Sequence, residues 1–277
     1  MTIWQAIVLG VVQGVTEFLP ISSSGHLILV PWIFGWPIYH DEALNKTFDV
    51  ALHFGTFIGV ALYFRADIAR LVRGWLRSIA QRSLAGDPYR QLSWLILIST
   101  IPGAAAGMRF ESIIEHKLGA PLLIASLLVA VGLVMALAEV VSKRRRALKD
   151  VGWWDAIVIG VGQAFALAPG TSRSGITMSI GLFGNLTRET AARYSFLISI
   201  PIIGGAAAVK GLHLVRHGLP PGMAWPFVVG VLSAAVSGYI AIKYLLAYLQ
   251  RGTLYPFVAY RIVVGALFIY LALRVAG

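Results

Sequence analysis

Cysteine is absent from the 277 residues. A disulfide framework, a thiolate metal centre and a cysteine nucleophile are excluded with it. Charge is scarce as well. Only 13% of the residues are charged while 58% are hydrophobic, whereas a soluble domain is about one quarter charged. With a mean hydropathy of +0.78, the chain reads as an integral membrane protein. Acidic residues are few, 12 against 23 Lys and Arg, which leaves a net charge of +11. In a soluble protein that surplus would suggest a nucleic-acid partner. Here it sits in short gaps between apolar runs, so it concerns orientation in a bilayer, and no nucleic-acid partner is expected. The opening residues MTIWQAIVLG lack a basic n-region and a small-residue cleavage site, so a removable signal peptide is not expected either.

What is present is apolar sequence in span-length pieces. A transmembrane helix needs about 20 such residues, and full spans are expected at 47–64, 92–109, 119–141, 190–212, 223–247 and 254–275. Two further apolar segments, 3–34 and 153–184, are interrupted at Pro20 to Gly25 and at Pro169 to Gly175. Each piece beside an interruption is short for a span, which predicts two re-entrant helix hairpins. Irregular backbone at membrane depth is tolerated only where it is buried in protein or lines a wet cavity.

The two hairpins repeat one another. At an offset of 150 residues, 3–26 matches 153–176 at ten of 24 positions, among them Trp4 with Trp154, Gln13 with Gln163, and Ser22, Ser24 and Gly25 with Ser172, Ser174 and Gly175. Three full spans separate the hairpins, so the second enters from the opposite side. The predicted fold is an all-α polytopic membrane protein of six full spans and two broken hairpins, related by an inverted-topology repeat. It forms a single domain, with one repeat over about 1–141 and the other over about 151–277. Fourteen Lys and Arg fall in the gaps of one side, chiefly between Arg65 and Arg90 and between Lys143 and Lys149, against six on the other. The first side is expected to be cytoplasmic.

An inverted repeat brings the two breaks together. The first offers Glu17, Ser22, Ser23, Ser24 and His26, the second Ser172, Arg173, Ser174 and Thr177. An arginine among hydroxyls in a loop that opens onto a helix suits a phosphate, through its bidentate fork and the N–H groups of the helix start. A carboxylate, an imidazole and a serine suit proton transfer and nucleophilic attack. For any single serine the structural alternative is strong, because serines in membrane helices bond back to their own backbone or join helices. An ionisable residue at depth is expensive, which makes Glu17 and Arg173 functional by default. Asp49 and His53 stand one turn apart near the start of a span. They either line the same pocket or merely cap and pack. No spacing of ligand residues forms a convincing metal cage.

GVTEFLPISSSGH, PGTSRSG and the closing PFVAYRIVVG resemble segments of the undecaprenyl-diphosphate phosphatase family, the bacitracin-resistance membrane proteins, and the resemblance extends over essentially the whole chain. It implies a bacterial plasma-membrane enzyme that dephosphorylates the undecaprenyl diphosphate carrier for cell-wall synthesis. It also implies Ser23 as nucleophile or phosphate ligand, His26 as general acid and base, Arg173 as diphosphate anchor, and Ser22, Ser24, Ser172, Ser174 and Thr177 as supporting hydroxyls that bind the substrate phosphate. A divalent cation, Mg2+ or Ca2+, is expected on the same ground, with Glu17 its best ligand. The family's first motif begins with Glu or Gln, and this chain carries Gln13, which puts coordination at that position in doubt. Whether Ser23 or a water attacks, and whether the protein forms a homodimer, stays open in the sequence. Because inverted repeats with broken helices are also a transporter design, a lipid-phosphate flippase is the competing reading. The reactive residues of the first hairpin lie towards the less basic side, so the pocket is expected to open outward.

Overall fold

The computed structural model describes residues 1–36, 42–117, 120–217, 219 and 222–276. They are helical almost throughout, with an isolated bridge between Arg146 and Leu186 and no strand among the described residues. The helices are α1 (Ile3–Phe18), α2 (Ser23–Ile33), α3 (Glu42–Tyr63), α4 (Arg65–Ala80), α5 (Pro88–Lys117), α6 (Pro121–Val141), α7 (Trp153–Phe165), α8 (Arg173–Phe183), α9 (Arg188–His217), α10 (Ala224–Leu249) and α11 (Tyr255–Ala276). The protein is an all-α polytopic membrane protein. Five helices, α5, α6, α9, α10 and α11, are each long and apolar enough to cross a bilayer.

The remaining expected span, 47–64, is less simple. It becomes α3, which reaches the length and hydropathy of a span only together with α4, from which it is bent by 78°. In the gap between the expected spans 47–64 and 92–109 the structure folds Arg65–Ala80 into a helix. Its arginines at 70, 73 and 77 share one side at helical spacing, and Ile68, Leu71, Trp75 and Ile79 share the other. The helix lies back on α5. There Trp75 meets Trp94, and the Trp94 indole N–H donates to Ser78 at 2.9 Å. A search for 20-residue apolar windows passes over such an amphipathic helix.

Both expected breaks are present. α1 and α2 are separated by residues 19–22, α7 and α8 by residues 166–172, and in each case the two helices pack together across the break. α2 and α8 have 11 residues each, about 16 Å of helix, or roughly half the hydrocarbon thickness. Two packing pairs correspond when α1, α3 and α5 are exchanged with α7, α9 and α10. α1 lies on α10 as α7 lies on α5, and α3 packs with α10 as α9 packs with α5. Matched glycines permit the closest of these contacts. A Cβ on Gly10 would stand 2.5 Å from the Gly230 carbonyl, and one on Gly160 2.7 Å from that of Ser99.

At the end of the molecule rich in basic residues, several of those residues are internally committed. Glu139, buried on α6, accepts from Arg144 and Arg188 and from the Leu254 amide. Arg146 bonds Asp155 at 2.9 and 2.5 Å. These cations hold helices together.

Candidate functional site

Along α1 the buried side runs through Ala6, Leu9, Gly10, Gln13, Gly14 and Glu17, a stripe at helical spacing. Its last polar members are one turn apart, and the Gln13 amide donates to Glu17 Oε2 at 3.2 Å. The helix ends at Phe18, and the chain reverses through Ser22, whose φ of 76° and ψ of 97° are rare for a residue with a side chain. This turn brings Ser23 back over the end of α1, where its hydroxyl donates to Glu17 Oε2 at 2.6 Å.

The second break repeats the turn. Ser172 has φ 68° and ψ 109°. Gly170 supplies another positive φ, of 92°, where the backbone presses on Ile124. Arg173, the first residue of α8, extends across to Glu17 Oε1 and forms an ion pair. Ser174 donates to the Leu19 carbonyl of the first break at 3.1 Å. The two breaks therefore meet, and Glu17 stands between Ser23 and Arg173, which are 150 positions apart in the chain.

The other expected residues divide by what their polar atoms do. Ser22 and Ser24 share a hydroxyl contact of 3.3 Å. Ser172 accepts from the Gly175 amide at 3.2 Å, which caps α8, and meets Ser174 at 3.2 Å. Thr177 is fully buried, bonds the Arg173 carbonyl and meets Ser195 of α9 at 2.7 Å. It supports α8 from behind. The backbone N–H groups of Ser22, Ser23 and Ser24, and of Ser172, Arg173 and Ser174, have no acceptor among the described residues. Two helix starts thus present unused donors at one place, an arrangement that favours an anion.

His26 Nδ1 lies 2.7 Å from the Ser22 carbonyl, which can only accept, so that nitrogen carries the hydrogen. Its Nε2 is 2.6 Å from the Tyr260 hydroxyl, with the two rings stacked. His26 thus addresses Tyr260, and the acceptor for Ser23 is Glu17. His53 bonds the Asp49 carbonyl through Nδ1 at 2.8 Å and turns Nε2 towards Glu17 Oε2 at 3.7 Å. With 40% of its side chain exposed, it forms a rim of the site. Asp49 contributes that carbonyl from one turn earlier on α3.

Sequence reasoning gave no role to Tyr260 and Arg261. Arg261 is fully buried in α11, and its guanidinium bonds carbonyls of both breaks and of α6. The signal was available, since an arginine inside an apolar span is expensive, but its neighbours in the chain are all apolar or aromatic and do not identify its partners.

A divalent cation would have Glu17 as its carboxylate ligand where the two breaks meet. Among the described residues no three His, Cys, Asp or Glu side chains group together. Both oxygens of Glu17 are already engaged, Oε1 by Arg173 and Oε2 by Ser23 and Gln13. Gln13 adds no charge where a second carboxylate would help to hold Mg2+ or Ca2+.

Residues 6–267 match the family model described as Bacitracin resistance protein BacA. The chain belongs to this family. It is 50% identical over 272 residues to the undecaprenyl-diphosphatase of Moorella thermoacetica, covering 97% of each chain. It is 47% identical over 276 residues to that of Geobacter sulfurreducens, with 99% of this chain and 100% of the relative covered. The undecaprenyl-diphosphatase of Trichlorobacter lovleyi is 47% identical over 267 residues, 96% of this chain and 95% of the relative. The matched residues include both breaks and Tyr260 and Arg261.

Proposed function

We propose that this BacA-family protein is an undecaprenyl-diphosphatase, which hydrolyses the lipid diphosphate to undecaprenyl phosphate and inorganic phosphate. The observation that carries the reading is Glu17, bonded at once to the Ser23 hydroxyl of its own hairpin and to Arg173 of the other. A nucleophile in contact with a base that a third group orients is the geometry of an activated hydroxyl.

In this reading the diphosphate takes Arg173 as its bidentate partner and occupies the unused N–H donors at the starts of α2 and α8. Arg173 then leaves Glu17, whose carboxylate is freed to accept the Ser23 proton. Ser23 Oγ attacks the terminal phosphorus. The bond from that phosphorus to the bridging oxygen breaks, and undecaprenyl phosphate departs with the bridging oxygen. Water next attacks the phosphoserine, releasing inorganic phosphate and restoring the serine hydroxyl. The departing phosphate is a stable anion and needs little acid assistance. The task is therefore mainly positioning and electrostatic stabilisation. His26 and Tyr260, linked by their hydrogen bond, are suited to passing a proton from the attacking water in the second step. No step is assigned to a divalent cation.

The same proposal treats the two halves, about 1–141 and 151–277, as an inverted repeat in the plasma membrane of a bacterium. The first hairpin then enters from outside and the site opens outward, with the lipid tail remaining in the bilayer. A flippase built on the same repeat would need the phosphate pocket but not the Ser23–Glu17 pair. Phosphate release from detergent-purified protein, where no second compartment exists, separates the two. Radiolabelled lipid diphosphate quenched during turnover should leave label on Ser23. A Ser23→Ala variant that releases phosphate at the wild-type rate would remove the nucleophile from the scheme.

A further inference from the structure

We propose that Arg261 is the positioning residue that holds the two breaks at the separation the reaction needs. It lies in α11, a helix apolar enough to span a bilayer, and is fully buried. Its Nε donates to the Leu128 carbonyl at 3.0 Å and its Nη1 to the Pro20 carbonyl at 3.2 Å. Its Nη2 donates to the carbonyls of Gly170 at 2.9 Å, Thr171 at 3.1 Å and Leu127 at 3.3 Å. One planar group therefore grips the first break two residues before Ser22, the second break immediately before Ser172, and the helix α6 that runs beside both.

Three features separate this arginine from one that only stabilises the fold. Its partners lie on both sides of the site, so its length and planarity set the distance between Ser23 and Arg173. Its acceptors at the breaks are carbonyls that have lost helical partners, which an apolar interior would otherwise leave unsatisfied. Finally, carbonyls drawn inward to the guanidinium turn the next peptide N–H the other way. The Thr171 carbonyl faces Arg261, and the Ser172 N–H in the same peptide is one of the unused donors at the start of α8. Among the described residues no carboxylate forms an ion pair with Arg261. Its charge is therefore not spent on a salt bridge, unlike that of Arg173.

This inference rests on the phosphatase reading, and the test keeps the two apart. Wild type, Arg261→Lys and Arg261→Met would be purified in detergent, checked for a monodisperse peak and a cooperative melt, and assayed for phosphate release over a range of lipid diphosphate concentrations. Failure of the wild type to release phosphate would reject the phosphatase reading itself. With an active wild type, a folded Arg261→Met variant should lose at least about 100-fold in kcat, the scale of an ångström-sized misplacement. Its KM should stay within about threefold, because the Arg173 fork still binds the diphosphate. Arg261→Lys keeps the charge but not the fork and should fall between, near 10-fold. If the Met variant does not fold, the Lys variant decides by the same split. A folded variant with wild-type kcat, or one in which KM rises while kcat is unchanged, overturns the proposal.

Discussion

The break before α2 and the break before α8 turn through the same rare backbone, with Ser22 at φ 76° and ψ 97° and Ser172 at φ 68° and ψ 109°. Each places a serine ahead of an 11-residue helix and a second serine hydroxyl beside it at 3.2–3.3 Å. At matched positions the side chains differ sharply. Glu17 stands opposite Leu167, Ser23 opposite Arg173, and His26 opposite Ile176. The surroundings differ too. α8 is seated on α6, α7 and α9, whereas α2 has broad contact with α1 and meets α11 mainly through His26–Tyr260 and Trp32–Phe268. Ser172 caps its helix and Ser22 forms no such bond. One backbone device thus serves two ends. The well-packed copy presents a fixed cation, and the more open copy carries a serine bonded to a carboxylate.

The comparison breaks first at Glu17. Glu17→Leu copies the second hairpin's residue into the first. It should reduce phosphate release by about 10³-fold or more, since both the base for Ser23 and the partner of Arg173 disappear. Near wild-type turnover would mean that the carboxylate is not what distinguishes the two copies. The second hairpin's own contribution is tested by Arg173→Lys, which should cost about 100-fold through loss of the planar fork, with Arg173→Ala worse. Tyr260→Phe removes one hydroxyl at the edge of the first hairpin. A loss of about 10-fold is expected, the low end of what proton transfer contributes, and an unchanged rate would leave the His26–Tyr260 pair without a catalytic part.

Where the copies are alike, effects should be alike. Gly10→Ala and Gly160→Ala each push a methyl group against a backbone carbonyl, at 2.5 and 2.7 Å, and each should destabilise by about 1–3 kcal/mol in thermal melts. A large effect at one and none at the other would deny that the two helix crossings correspond. The smallest difference expected is at the turns. Ser172→Ala deletes a capping bond and should cost about 1 kcal/mol, while Ser22→Ala, with no cap to lose, should lower the melting temperature less.

Much of this comparison was legible in the sequence because it rests on local chemistry. Trp4 with Trp154 and Ser-x-Ser-Gly with its copy exposed the repeat, and the scarcity of charge made Glu17 and Arg173 conspicuous. Five of the six expected spans appear as single apolar helices because 20-residue hydropathy is a local property. What escaped depends on contacts distant in sequence. Arg261 was visible as a charge in a span, yet its carbonyl partners lie 90 to 241 residues away. The resemblance implies His26 as general acid and base, and the fold adds that its Nε2 meets Tyr260 while the Ser23 hydroxyl donates to Glu17. Thr177, expected beside the phosphate, is drawn to Ser195 because the back of α8 faces α9. The bend between α3 and α4 was hidden because an amphipathic helix averages to an ordinary polar loop in a hydropathy window.

A structure with orthovanadate, which mimics a phosphoryl group in transfer, tests the central claim most directly. If the two hairpins build one reaction site, a single vanadate should be bonded to Ser23 Oγ and held by the Arg173 guanidinium, with the Glu17–Arg173 ion pair opened. Vanadate bound by one hairpin alone, with Glu17 and Arg173 still paired, would contradict the account.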